Sequence, residues 1–505
     1  MTLASCIERL SAAGLLVSST GDPETTFDRL TADSREVGPT DGFVAICGAS
    51  LDGHLFIDKA VSNGATAIVC EAGRVDDVAS ITRPAPAREP ALLEVTDSRR
   101  AWLEISSLLH ADPGQALTMT AVTGTNGKTT VATLVKRVLT GSDRICGFIG
   151  TTEVYDGGTH HTASHTTPSP DRLHAYLAAM RRNNCSHVSL EASSHALDQY
   201  RIRVPDIDVA VFTNLSRDHL DYHGSEADYL QAKKRLFDDL SKDAFALTNL
   251  DDPYGARIVG DTPARVWRIG HKDRSSEADF TWRITDESLD GLALEIDGDH
   301  RRFRLAGAYN GFNLCATYAA ARALGLEANE ALDLLAHCPP VRGRFEQLVA
   351  EDGRTVIIDY AHTPDALENV LMTARTAVSQ QAQLWCLFGC GGDRDRGKRP
   401  QMGAIAERYA DRVIVTSDNP RSEGPEEILN DIREGFEKPD RAAWLADRFE
   451  AIAYAAAHMA PGDTLVLAGK GHETTQLLED RTIHFDDREE ARHAFGISLS
   501  DTHTD

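Results

Sequence analysis

Leu117-Thr-Met-Thr-Ala-Val-Thr123 is followed by Gly124-Thr-Asn-Gly-Lys-Thr-Thr130 and then by Val131, Leu134, Val135, Val138 and Leu139 at helical spacing. An apolar strand, a glycine loop and an amphipathic helix in direct succession predict an α/β unit with a phosphate loop. Glycines at 124 and 127 let backbone N–H groups approach phosphate oxygens without a Cβ in the way. The helix N-terminus favours negative charge, Lys128 supplies a point charge, and the Thr129 hydroxyl can ligate Mg²⁺. Val122 stands where the common G-x-x-x-x-G-K pattern has its first glycine. A tight turn capped by threonines is the alternative, but the flanking strand and helix favour nucleotide binding. Residues Gly124, Thr125, Asn126, Gly127, Lys128, Thr129 and Thr130 are therefore candidate ATP contacts.

Working outward, His187-Val-Ser-Leu190 reads as a short strand delivering Glu191 to Ala192-Ser-Ser-His195. Val209-Ala-Val-Phe-Thr213 is another, leading into Asn214-Leu-Ser-Arg-Asp-His219 and on to His223. Carboxylates and imidazoles at strand ends suit a hard cation that also binds ATP phosphates. His219 and His223 have the spacing of zinc ligands on a helix, but Leu220 replaces the glutamate of H-E-x-x-H, which argues against a metalloprotease. Ala232-Lys-Lys-Arg-Leu-Phe237 reads locally as a solvated basic helix face; an unmodified Lys233 would repel Mg²⁺.

Toward the C-terminus four apolar strands each end in a polar loop. Val356-Ile-Ile358 precedes Asp359-Tyr-Ala-His362, and Leu384-Trp-Cys-Leu-Phe388 precedes a glycine-rich loop with Arg394. Val413-Ile-Val415 precedes Asp418-Asn-Pro-Arg421, and Leu465-Val-Leu-Ala468 precedes Gly469-Lys-Gly-His-Glu473. In an open parallel sheet ligands bind beyond the carboxyl ends of the strands, so the four loops are expected to converge. Arginines and carboxylates together suggest a zwitterionic ligand.

At about 150 residues per domain, 505 residues predict three domains. Expected boundaries are Asp112-Pro113-Gly114 and Cys338-Pro339-Pro340, giving domains 1–111, 112–338 and 339–505. The stretch 83–90 reads as a loop, Leu314 to Leu335 as a helical segment, and 272–304 as strands in an insertion or β-layer. A net charge of −25, from 52 Lys+Arg and 77 Asp+Glu, argues against a general nucleic-acid binder. No apolar run suggests a membrane span and no signal peptide is legible, so a cytoplasmic location is expected. Nine scattered cysteines read as reduced core thiols.

Together these motifs resemble the Mur ligases, ATP-dependent amino-acid ligases of peptidoglycan precursor synthesis. The resemblance also rests on Asn310-Gly-Phe-Asn313 and Gly343-Arg-Phe-Glu346 and spans nearly the whole chain; in that family glycine is normally absent at the position of Val122. It implies an N-terminal UDP-binding domain, a central P-loop domain and a Rossmann-like C-terminal domain. Lys128, Lys233 and His219 would be catalytic. Thr129, Glu191, His219 and Lys233, the last as a carbamate, would hold Mg²⁺. Asn313, Arg344 and Asp359 would complete the ATP site. Ala32, Ser34, Thr166, Thr167, Ser193, Gln199 and Arg201 match positions for UDP-muramoyl-dipeptide. His165 departs from an asparagine common before the Thr-Thr pair, and residues 48–51 lack a His-Gln pair found in some relatives.

The motif Asp418-Asn419-Pro420-Arg421, with Arg394, Gly469 and Glu473, resembles the form found in members that add meso-2,6-diaminopimelate to UDP-N-acetylmuramoyl-L-alanyl-D-glutamate. Lysine-adding members lack the arginine, and a guanidinium fork can read the second carboxylate that lysine does not have. A monomer is expected. Alternatives are a lysine-adding Mur ligase, a folylpolyglutamate synthetase-like ligase, whose family lacks the N-terminal domain, and a P-loop nucleotide switch without ligase activity.

Overall fold

The computed structural model describes residues 1–48, 51–74, 89–379 and 381–497. Most of the loop expected at 83–90 and part of the 48–51 stretch lie outside the described residues. Three sheets follow one another along the chain. The first has five strands in the order Leu16–Thr20, Ala91–Val95, Ala67–Glu71, Asp41–Val44 and Arg29–Thr31. All pairs are parallel except the first. Helices Leu3–Ala12 and Ser98–Leu109 bury Leu3, Cys6, Leu10, Ala101 and Ile105 in one core with Val44, Val69 and Leu93.

The second sheet has eleven strands and places the phosphate loop near its middle. Its parallel part runs Phe280–Ser288, Arg265–His271, Phe245–Asn249, Val209–Phe212, Thr118–Thr123, His187–Glu191 and Cys146–Ile149. The strands expected within 272–304 form an antiparallel meander at one edge, Phe280–Ser288, Gly291–Ile296 and Asp299–Phe303. Val131, Leu134, Val135, Val138 and Leu139 of helix Lys128–Gly141 are buried against helix Asn310–Ala323, each large side chain contributing about 1.5–3 kcal/mol. The segment read as helical from Leu314 to Leu335 is two helices, Asn310–Ala323 and Ala328–His337. Gly325 at φ +86° makes the break, in a backbone region that costs other residues energy.

The third sheet runs Glu346–Val349, Thr355–Asp359, Thr464–Ala468, Leu384–Phe388, Arg412–Val415 and Ala443–Trp444, parallel except for its first pair. The four expected strands are its four central ones, so their carboxyl ends lie along one edge. Arg448 and Asp487, both fully buried, brace that edge: the guanidinium holds the carboxylate at 2.7 Å and donates to the carbonyl of Ala468 at 3.1 Å. All nine cysteines are free; eight are buried as expected, and Cys47 is exposed. Among the described residues no helix is long and apolar enough to cross a membrane.

Candidate active site

The loop between strand Thr118–Thr123 and helix Lys128–Gly141 is tightly tied down. Asn126 N–H donates to Asn214 Oδ1 at 2.9 Å, Thr125 N–H to the carbonyl of Asn214 at 2.8 Å, and Thr213 Oγ1 to the carbonyl of Asn126 at 2.5 Å. Gly127, at φ +87°, has no room for a side chain, since a Cβ would sit 2.6 Å from Asn313 Oδ1. Asn313 is thereby placed against the loop. Lys128 Nζ donates to the carbonyls of Gly124 and Thr125 at 3.0 and 2.8 Å. Burial lowers its pKa, partly offset by the nearby Glu191 and Asp218 carboxylates.

Glu191 ends its strand fully buried and accepts from Thr129 Oγ1 at 2.9 Å, Thr151 N–H at 2.8 Å and Thr151 Oγ1 at 3.1 Å. Among the described residues no lysine or arginine forms an ion pair with it. A buried carboxylate supplied only with neutral donors favours a cation. His219, the cap of the short helix Leu220–His223, adopts φ +54°. Burial pushes its imidazole down to about 3, against the opposing pull of Asp218 at 3.4 Å, leaving a neutral ring. An unprotonated imidazole, a carboxylate and a threonine hydroxyl form a donor set that fits Mg²⁺ when phosphate oxygens supply the remaining positions. No group of three or more His, Cys, Asp or Glu residues poised to hold a metal without such help exists among the described residues.

The solvated reading of 232–237 is wrong for Lys233. Helix Glu226–Asp238 buries Tyr229, Leu230, Leu236 and Phe237, and Lys233 lies on that inward face, 1% exposed. Its Nζ donates to the carbonyl of Gly124 at 2.7 Å and sits 4.4 Å from the centre of the Tyr229 ring. Burial first, and the Lys128 charge second, hold its pKa well below the usual lysine range.

Next to Glu191 the residues matched to the muramoyl-dipeptide form one network. Thr166 Oγ1 lies 3.1 Å from Thr151 Oγ1, and Thr167 Oγ1 donates to the carbonyl of Glu191 at 2.6 Å and lies 3.2 Å from Ser193 Oγ. Arg201 donates to the Thr167 carbonyl and to Gln199 Oε1, both at 2.8 Å. It makes no ion pair among the described residues, and burial lowers its pKa, as expected of a guanidinium whose anion is not part of the protein. Ala32 and Ser34 lie in the first sheet's region, where the Ser34 carbonyl accepts from Asn63 Nδ2 at 2.8 Å. A cavity of about 500 Å³ separates the two regions, lined by Cys47, Gly48 and Arg99 on one side and by Asp198, Tyr222 and Arg235 on the other.

The C-terminal loops converge as expected. Asn419 Oδ1 accepts from Leu477 N–H at 2.9 Å, and its Nδ2 donates to Glu473 Oε2 at 2.8 Å. Gly469, at φ +113°, lies so close to Asp418 that a Cβ would be 2.5 Å from its Oδ2. Arg421, also in the left-handed region at φ +54°, donates to the carbonyl of Gly392 at 2.8 Å. A Cβ on Gly391 would meet Arg421 Nη1 at 3.0 Å and Arg394 Cγ at 3.5 Å, so the two side chains flank one glycine, and burial and then the like charge of Arg394 lower the pKa of Arg421.

The third sheet's loops are docked on the phosphate loop. Arg344 Nη2 donates to Thr129 Oγ1 at 2.8 Å, and Asn126 Nδ2 to Asp365 Oδ2 at 3.0 Å. Arg344 also lies over the Tyr360 ring, 4.6 Å from its centre. Asp359 Oδ2 accepts from Phe345 N–H at 2.7 Å, beside Arg344, and burial raises its pKa. Arg217 pairs with Asp395 at 3.2 Å, and Asp218 lies 3.7 Å from His362 and 3.9 Å from Lys398. Thr151, Asp218, Asp365, Lys398 and Lys470 were not singled out from sequence. Asp218 and Lys470 sit inside recognised motifs, whereas Lys398 approaches Asp218 only through docking of loops 180 residues apart.

Three family models match the chain: "Mur ligase family, catalytic domain" at residues 26–110, "Mur ligase middle domain" at 122–321 and "Mur ligase, glutamate ligase domain" at 343–471. A Parabacteroides distasonis protein named UDP-N-acetylmuramoyl-L-alanyl-D-glutamate–2,6-diaminopimelate ligase is 39% identical over 489 residues, covering 95% of this chain and 97% of that protein. A Synechococcus elongatus protein of the same name is 42% identical over 471 residues, covering 92% and 93%. A solved structure titled as that ligase superposes with a TM-score of 0.65 at 32% identity, over 98% of this chain and 99% of the other.

Proposed function

The chain belongs to the Mur ligase family, and from that premise we infer that it is the ATP-dependent ligase joining meso-2,6-diaminopimelate to UDP-N-acetylmuramoyl-L-alanyl-D-glutamate in peptidoglycan precursor synthesis. The observation that carries the choice of amino acid is Arg421. Its guanidinium is half-buried near Arg394 and bonded only to backbone carbonyls, where its own loop presents Asp418 and Asn419 and the loop after Ala468 brings Glu473 to Asn419. Two arginines suit two carboxylates, and the acidic groups suit the ammonium.

The reaction divides between the docked surfaces. The D-glutamyl γ-carboxylate attacks the γ-phosphorus of ATP, forming an acyl phosphate and releasing ADP. The free amine of diaminopimelate then attacks the acyl carbon, and phosphate leaves as the peptide bond forms. Gly124 to Thr130 would bind the nucleotide phosphates with Lys128 as the point charge, Asn313 and Asp359 completing the nucleotide site. Arg344, which reaches Thr129 from the C-terminal side, would place positive charge where negative charge builds up on the transferring γ-phosphoryl group. Arg201, with Thr166, Thr167, Ser193 and Gln199, would hold the dipeptide beside Glu191; Ala32 and Ser34 would contact the uridine end.

Glu191, His219 and Thr129, with Lys233, would hold Mg²⁺, which when bound neutralises phosphate charge. Lys233 contributes once its neutral amine adds to CO₂ and the product loses a proton, giving an anionic carbamate. The depressed pKa supports this by favouring the nucleophilic free amine. Residues 1–111, 112–338 and 339–505 would be the UDP-, ATP- and amino-acid-binding domains of a cytoplasmic monomer.

The test is ADP release with UDP-muramoyl-dipeptide and meso-diaminopimelate, L-lysine or no amino acid. Release that ignores the amino acid would sink the ligase reading, and faster turnover with lysine would sink the selection. Arg421→Lys keeps the charge but loses the fork. It is expected to lower kcat/KM for diaminopimelate by about 10- to 100-fold, the equivalent of one charge-assisted bond; a near-normal value would refute the role of Arg421.

A further inference from the structure

Beside the two arginines of the proposed amino-acid site lies an ionic staple tied to the loops that carry them. Arg399, fully buried at the start of helix Arg399–Tyr409, grips both oxygens of Glu423, Nη1 to Oε2 at 3.0 Å and Nη2 to Oε1 at 2.9 Å. It also donates to Asp431 Oδ2 at 2.7 Å and to the Gly391 carbonyl at 3.1 Å. Glu423 in turn accepts the backbone N–H of Asp393 at 2.5 Å and Arg396 Nη2 at 2.7 Å. At the surface Ser422 Oγ donates to Asp393 Oδ1 at 2.8 Å, and Ser422 N–H to Asp393 Oδ2 at 3.2 Å.

One carboxylate therefore laces together two loops: residues 391–396, which carry Arg394, and residues 418–423, which carry Arg421. Between them Gly392 N–H donates to the Asn419 carbonyl at 2.9 Å and the Gly392 carbonyl accepts from Arg421. A buried ion pair is a poor device for stability alone, because an apolar pair of similar volume serves as well. What the bidentate fork supplies is direction, holding its partners at one distance and in one plane. Reading a ligand with two carboxylates needs that control, since recognition fails when the reading groups drift by about 1 Å.

We propose that Arg399 and Glu423 are positioning residues for amino-acid selection: their fork sets the spacing of Arg394 and Arg421 and so favours an amino acid with a second carboxylate. The inference rests on the diaminopimelate reading above. Glu423→Gln keeps the shape and removes the charge. It is expected to raise KM for meso-diaminopimelate about tenfold and to lower the preference for the meso over the LL isomer, with KM for ATP and for UDP-muramoyl-dipeptide within about twofold. Glu423→Asp, which keeps the charge on a shorter arm, is expected to recover part of the loss.

An equal rise in all three KM values, or an unchanged diaminopimelate KM and isomer preference, would overturn the proposal. Ser422→Ala removes only a surface tie between the same loops, so it tests the idea even if Glu423→Gln does not fold. A rise of about two- to threefold in the diaminopimelate KM alone is expected, and no change would count against the proposal. If the parent enzyme itself ignores meso-diaminopimelate, it is the functional reading that fails.

Discussion

Single residues carry the chemistry through their surroundings more than through their type. Lys233 lies in a run of three basic side chains, and burial separates it from ordinary surface lysines. Lys233→Ala is expected to lower kcat by about 100-fold or more, as loss of transition-state charge stabilisation does. Steady-state ADP release measures it, and a kcat within about threefold of the parent would remove Lys233 from the site. Glu423 makes a different prediction. The Arg399 fork holds its carboxylate down at about 2, below the ordinary value of 4.5. A depressed folded-state pKa contributes stability that is present above the unfolded value and lost as pH falls toward the folded one. The stability gap between the parent and Glu423→Gln should therefore be widest near neutral pH and shrink below about pH 4.5. Denaturant midpoints across that range measure the gap, and one that stays constant would show that the carboxylate charge adds nothing.

At the scale of elements, periodicity carries most of the information. The strand and helix around Gly124 and the four C-terminal strands were legible because each is a short apolar run ended by glycine or polar residues, and such runs form buried parallel strands. The first 111 residues offered no comparable signal, and Ala32 and Ser34 came from resemblance alone. Lys233 was misread because the stretch 232–237 shows its charges but not its burial. The helix's inward face emerges only with Tyr229 and Leu230 one turn earlier. Arg448 and Asp487 were equally illegible, since each opens a helix with a pattern typical of an exposed first turn. Packed together they become a fully buried pair behind the carboxyl ends of two strands. Asp487→Ala would leave the guanidinium unpaired and should destabilise the C-terminal domain by about 3–5 kcal/mol. Hydrogen exchange of strands Arg412–Val415 and Thr464–Ala468 would register it, and unchanged protection there would show that the pair is dispensable.

At the scale of the whole molecule, the sites proposed for nucleotide and amino acid are brought together because the loops of the third sheet are docked on the phosphate loop of the second. The contacts beside the phosphate loop are polar, among them Arg344 to Thr129, Asn126 to Asp365, Arg217 to Asp395, and Asp218 to His362 and Lys398. Small polar interfaces between domains open readily, and ligands that bind both faces shift the balance toward closure. On the proposed function, a chain of net charge −25 would meet its anionic substrates with cations gathered locally, since Lys128 and Arg344 come from different domains to one loop. Arg217→Ala combined with Asp365→Ala removes two of the docking contacts without removing any group assigned to substrate. Their loss is worth about 1–2 kcal/mol of closure free energy, or roughly a tenfold shift in the open-to-closed ratio. KM for ATP and for diaminopimelate should then rise together by up to that factor. Turnover at saturation of all three substrates should stay within about threefold of the parent, because bound ligands restore the docked form. Small-angle scattering should show a larger radius of gyration for the free double variant and convergence with the parent once ligands are added. Unchanged KM values together with an unchanged radius would show that these contacts accompany closure without stabilising it.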